Sequence, residues 1–160
     1  MPILMQYQGI PGESKIKGFE KYIELTSFEF GLGRRITSGV NSVREGSVVN
    51  MSEIVVKKNT DGTTLKLFEQ GCFGKLNNDV KISFVRTGAG DPQEFLGVYL
   101  KATGVSGLSF KAAGGSGVDS RPGETLHMNF GEIEVKYNPI GDDLTGSPAS
   151  TSWKLSSMTK

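Results

Sequence analysis

Apolar residues along most of this chain recur at every second position, the spacing of a strand with one buried face. In three places the period holds but the parity changes. Within residues 124–137, Leu126, Met128 and Phe130 share one face, while Ile133, Val135 and Tyr137 share the other, with Gly131 between them. Within 22–30, Ile23 and Leu25 give way to Phe28 and Phe30 near Thr26 and Ser27. Within 48–58, Val49 and Met51 give way to Ile54 and Val56 near Ser52 and Glu53. Side chains alternate strictly across a pleat, so each parity change demands an extra residue, a bulge or a sharp bend. Bent strands serve two packed sheets or turn the corner of a barrel. The pattern therefore predicts a mainly β fold, closed as a barrel or a tight sandwich.

Further strands are expected at 3–7, at 79–86, and at 94–110, the last as one long strand or two joined at Gly104 and Gly107. The strand at 124–137 should pair with the one before it, since sequential strands usually neighbour. Trp153 is placed on a short closing strand with its ring buried. One short helix is expected at 63–73, covering the β body with Leu65, Phe68 and Cys72, and Leu67 beside them. Asp61 is its expected N-cap and Gly74 its stop. Residues 31–47 form a long polar segment punctuated by glycine and carrying Arg34, Arg35 and Arg44. Periodicity alone makes it a mobile surface loop, with a contact arm as the alternative.

Length and composition narrow the class. A chain of 160 residues with one cysteine and a net charge of +1 reads as one domain without an internal disulfide. The charge balance gives no reason to expect nucleic acid, and no apolar run is long enough to span a bilayer. The first residues show no secretory signal, so synthesis and folding in the cytoplasm are expected, with export by a route that cleaves no signal left open. Candidate chemistry is thin. His127 is the one histidine and by parity points away from Leu126 and Met128, as a surface or interface residue. Cys72 is expected to be a small buried packing residue, and Glu132 with Glu134 a charged exposed face. Asp142 and Asp143 match no calcium loop, and the glycine-rich GAG and GGSG stretches lack the lysine and hydroxyl of a phosphate loop. No catalytic residue, metal or cofactor is assigned, and an enzyme is the least favoured class.

In order along the chain stand GESK after a first strand, IELTSFEFG, VVNMSEIVVKK, GCFGK, RTGAG, QEFLGVYLKATGVSGLS, GGSG, ETLHMNFGEIEVKYNP and SWKLS. This succession resembles the Hcp family, the haemolysin-coregulated proteins that form the inner tube of the bacterial type VI secretion system. It covers nearly the whole chain. The arginines of the 31–47 segment depart from relatives in which that segment is mostly glycine and serine. The resemblance implies a compact β-barrel of two packed antiparallel sheets with one short flanking helix, and a hexameric ring that stacks into a hollow tube, surrounded by a contractile sheath and tipped by a spike. It also implies export without a cleaved signal and carriage of small effectors in the lumen. On this footing the 31–47 segment becomes a stacking arm, with Arg34, Arg35, Ser38, Asn41 and Arg44 as contacts and Asp142 and Asp143 as possible acidic partners. Glu29, His127, Asn129, Glu132 and Glu134 become candidates for lumen, sheath or neighbour contact. A soluble ring acting as effector chaperone, and a phage-type tail-tube subunit, are the competing readings.

Overall fold

The computed structural model describes residues 1–37, 46–88, 90–115, 121–139 and 148–157. Eleven strands and one helix follow in the order β1 (Ile3–Tyr7), β2 (Ile23–Leu25), β3 (Ser27–Glu29), β4 (Leu32–Gly33), β5 (Asn50–Met51), β6 (Ile54–Asn59), α1 (Thr64–Phe73), β7 (Asn78–Arg86), β8 (Gln93–Lys111), β9 (Gly123–Asn129), β10 (Glu132–Tyr137) and β11 (Ala149–Lys154). All three parity changes coincide with strand breaks, at Thr26, at Ser52 and Glu53, and at Phe130 and Gly131.

The long strand β8 belongs to two antiparallel sheets. Its first half pairs with β7 and β10, in a sheet completed by β1, β2 and β11. Its second half pairs with β9, which pairs with β6, which pairs with β3. The crossing point is Ala102, which takes the left-handed φ of 50°. Opposite it, the Gly131 N–H donates to the carbonyls of Lys101 and Ala102, at 3.0 and 3.2 Å. A Cβ on Gly131 would sit 3.0 Å from the Ala102 methyl, so the corner needs glycine on one side of the bend. Of the residues that the pattern places on the buried faces of this stretch, Leu126, Met128, Phe130 and Ile133 are buried and Val135 is half-buried, while Tyr137, at the far end of β10, is exposed.

The chain also changes sheets at Thr26, between β2 and β3, where the Thr26 N–H donates to the Lys57 carbonyl at 2.7 Å. The hydrogen-bonded order runs β2-β1-β7-β8-β9-β6-β3 and stops there. The body is thus two packed sheets rather than the closed barrel of the sequence reading. The terminal strands β2 and β3 are three residues each and continuous with one another, which leaves no ladder between them. The main core lies between the sheets and includes Ile23, Ile54, Val56, Ile82, Leu100 and Leu126.

The segment 9–22 folds over the outer face of the first sheet. Phe19 closes a second small core there with Leu4 and Val85, edge-on to Tyr22. That cover buries Ser83 and Val85, which alternation alone would leave outside. Gly12 anchors it: its N–H donates to the Lys21 carbonyl, and a Cβ there would lie 2.3 Å from the Tyr22 carbonyl oxygen.

The helix corrects two expectations. Its buried residues are Thr64 and Leu67, while Gly71 is exposed, beside the Val105 side chain. Leu65, Phe68 and Cys72 face solvent. The more apolar stripe lies about 100° round the helix from Thr64 and Leu67. The N-cap position is Thr63, not Asp61; the Asp61 carboxylate accepts from the Thr63 N–H at 2.8 Å and from its hydroxyl. Gly74 ends the helix, its N–H donating to the Gln70 carbonyl.

One buried feature has no counterpart in the sequence reading. Lys58 and Glu124 lie on the core faces of β6 and β9, both fully enclosed, and their side chains pair directly. The Lys58 ammonium also reaches Asp61 and the Asn59 carbonyl, each at 3.0 Å. The triad ties both strands to the start of α1.

Candidate functional site

The side chains proposed as contacts fall on three surfaces. The first is the outer face of the sheet formed by β3, β6, β9 and the second half of β8. Register places Glu29, Val55, His127 and Gly107 in one row across it, and Ser27, Lys57, Thr125 and Ser109 in the next. Glu29 and His127 are two strands apart, so about 9.5 Å separates their backbones. Asn129 shares this face by alternation and is exposed. His127 Nδ1 stands 3.5 Å from the Glu53 carboxylate, and both side chains are well exposed. The face is polar throughout the second row, an arrangement suited to water rather than to a packed partner.

The second surface is the outer face of the other sheet. Glu132 stands opposite Lys101 and Glu134 opposite Tyr99. Both glutamates are half-buried, less open than a free charged face. Beside them Glu94 accepts from the Tyr99 hydroxyl at 3.2 Å and pairs with Lys81 at 3.4 Å, while the Lys81 ammonium lies 5.2 Å from the centre of the Tyr99 ring. Burial works against the charged Lys81, but Glu94, aided by Tyr22 and Tyr99, outweighs it and leaves the ammonium pKa raised. Burial and the Glu94 charge both push the Tyr99 phenol up, against the opposing pull of Lys81. Sequence spacing separates the five candidates into these two faces only once the bend at Gly131 is located. Glu29, His127 and Asn129 lie before it in space; Glu132 and Glu134 lie beyond it.

The third surface is the 31–47 segment, whose described base is ordered. Strands β4 and β5 pair through Leu32 with Met51 and Gly33 with Asn50. Beyond them the Arg35 N–H donates to the Ser47 hydroxyl at 2.9 Å, the Ser47 N–H donates to the Arg35 carbonyl at 2.8 Å, and Ile36 bridges Gly46. The base is therefore a two-stranded hairpin rather than an open loop. Residues 31–37 are all exposed, and the apolar Leu32, Ile36 and Val48 lack a covering layer. A two-stranded hairpin is marginal in water by itself, so an apolar one calls for a partner. Arg34 and Arg35 lie on it; Ser38, Asn41, Arg44, Asp142 and Asp143 fall outside the described residues.

Among the described residues no group of three His, Cys, Asp or Glu side chains is placed to hold a metal ion, and no helix is long and apolar enough to cross a membrane. His127 has a carboxylate beside it, and Cys72 is on the exposed side of α1.

Comparison with known proteins places this arrangement. The family model described as type VI secretion system effector, Hcp, matches residues 4–137. Protein Hcp1 of Pseudomonas aeruginosa is 26% identical over 148 residues, covering 91% of this chain and 90% of that protein. A solved structure of a type six secretion system protein superposes with a TM-score of 0.84 at 25% identity, covering 99% of this chain and 98% of the other. Hcp1 from Salmonella typhimurium shares the fold, with a TM-score of 0.76 at 17% identity over 98% of this chain and 96% of its own. With two bent antiparallel sheets, one flanking helix and a family match over most of its length, the chain belongs to the Hcp family of type VI secretion proteins.

Proposed function

We propose that this chain is the tube subunit of a type VI secretion system, acting by assembly rather than catalysis. Six copies form a ring, rings stack into a hollow tube, and sheath contraction expels the tube with its spike. The observation that carries the stacking reading is the exposed hairpin at the base of the 31–47 segment. It projects apolar side chains and two arginines where a lone monomer has nothing to cover them. A contact repeated along an axis supplies that cover in every ring but the last.

The lumen wall is the outer face of the β3-β6-β9-β8 sheet. Its rows of serine, threonine and lysine, with Glu29, His127 and Asn129, present hydrogen-bonding groups of both signs to water or to a small effector protein in transit. The half-buried Glu132 and Glu134 face a neighbour or the sheath. Export proceeds with the tube, which needs no cleaved signal.

Replacing Arg34 and Arg35 with glutamate tests the stacking role. The double variant is expected to keep single rings, seen by light scattering and negative-stain imaging, and to lose tubes and secretion activity. Tubes of normal length in the variant would remove the arm from the stacking contact.

A further inference from the structure

The outer face of β3, β6, β9 and the second half of β8 is polar, but its charges are sorted rather than mixed. Rows across it step along the strands two residues at a time. The first row holds Glu29, and Glu53 stands beside that row's His127 imidazole. The next row holds Lys57, and the one after it holds Lys111. Glu29, Glu53, Lys57 and Lys111 are all exposed. Acidic groups thus occupy one end of the face and ammonium groups the other. Arg121, just ahead of β9, is engaged elsewhere: it donates to the Thr60 carbonyl at 3.3 Å and lines a pocket with Glu13, Glu24 and Asp61.

These charges have no partner across the ladder. Opposite charges facing one another on neighbouring strands would stabilise the sheet. Lys57 instead faces Ser27 and Thr125, Lys111 faces Gly123, and Glu29 faces Val55. Among the described residues Glu29, Lys57 and Lys111 make no ion pair. The Glu29 and Lys111 rows lie two steps apart, about 14 Å. The screening length at physiological ionic strength is about 8 Å, so the two ends do not cancel. Six copies around one lumen repeat both bands, and each band concentrates groups of the opposite sign in the space before it.

A uniform polyanion such as nucleic acid meets Glu29 and Glu53 as well as the lysines, and a uniform polycation meets the reverse. The complement of the face is a polypeptide whose charge is divided along its length. We infer that the lumen wall takes such a polypeptide with its acidic part on the Lys57 and Lys111 band and its basic part on the Glu29 and Glu53 band. Cargo is thereby selected by the arrangement of its charge rather than by its net charge. The inference rests on the lumen reading above and narrows it.

Two fluorescent peptides of identical composition test it. One carries a block of four glutamates and a block of four lysines joined by five prolines, which span about 15 Å as a polyproline helix. The other alternates glutamate and lysine on both sides of the same prolines. Fluorescence anisotropy is read against unaltered rings, with light scattering on the same sample to report the ring. At about 0.1 M salt the block peptide should bind at least tenfold more tightly than the alternating one. Raising the salt to about 1 M, where the screening length is about 3 Å, should remove the difference. Lys57→Gln with Lys111→Gln should remove it too, and Lys57→Arg with Lys111→Arg should keep it. A preference below tenfold in intact rings, or one that survives loss of both ammonium groups, overturns the charge-sorted wall and leaves the tube standing. Unaltered protein that is monomeric at every concentration overturns the tube reading and the sorted lumen together.

Discussion

Removing the Lys58 ammonium is the sharpest test of what holds the β body together. In Lys58→Met the side chain keeps its length and packing, while Glu124 loses its cationic partner in a site with no solvent access. Asp61 is less affected, since the Thr63 N–H and hydroxyl still donate to it. Glu124 has no such reserve: its Oε1 has no hydrogen-bond partner even in the intact protein. Breaking one side of a buried ion pair typically costs about 3–5 kcal/mol, because the remaining charge stays desolvated. Replacing both charges with apolar groups of similar volume is often neutral. Lys58→Met should therefore lower unfolding stability by about 3–5 kcal/mol, and adding Glu124→Leu should restore all but about 1–2 kcal/mol. Urea titrations followed by Trp153 fluorescence, at one protomer concentration because assembly is linked to stability, supply the measurement. A loss under about 1 kcal/mol for Lys58→Met, or a double variant as unstable as the single, would refute the claim that the pair is a desolvated unit.

Two further outcomes follow from the bend and from the outer sheet face. Ala102→Gly should stabilise the protein by about 0.5–1 kcal/mol, since relief of left-handed strain of roughly 1–2 kcal/mol exceeds the entropy cost of glycine. Equilibrium denaturation checks this, and Gly131→Ala should be tolerated better in that background because the 3.0 Å methyl contact is gone. The phenols of Tyr7 and Tyr99 hold their protons more tightly in the folded chain, both chiefly through burial. Their contribution to stability is complete below the usual phenol value of about 10 and is lost as pH rises through the elevated folded values. Phenolate absorbance should show a titration component above that value, and unfolding midpoints should fall on the alkaline side; a Tyr99→Phe variant that leaves the titration curve unchanged would contradict the assignment.

Strand alternation carried most of this fold because the core is laid out on a pleat. A parity change is a local signal, and each of the three marked a true break. The helix was misjudged for the opposite reason. Its buried residues are Thr64 and Leu67, while the apolar Leu65, Phe68 and Phe73 stand exposed, so apolar content pointed to the wrong face. The Lys58 and Glu124 pair was legible in principle, since each charge stands on the core parity of its strand, beside Val56 and Leu126. A charge on a core face signals a partner on a neighbouring strand, but which strand neighbours which depends on long-range topology. Glu29 and His127 share a row for the same topological reason, and no spacing within either strand reveals it.

Negative-stain imaging of the purified protein, with light scattering on the same sample, tests the central claim most directly. Ring-shaped particles of six protomers, some stacked end to end, are the predicted result. A monomer at every concentration, with neither rings nor tubes in the images, would contradict it.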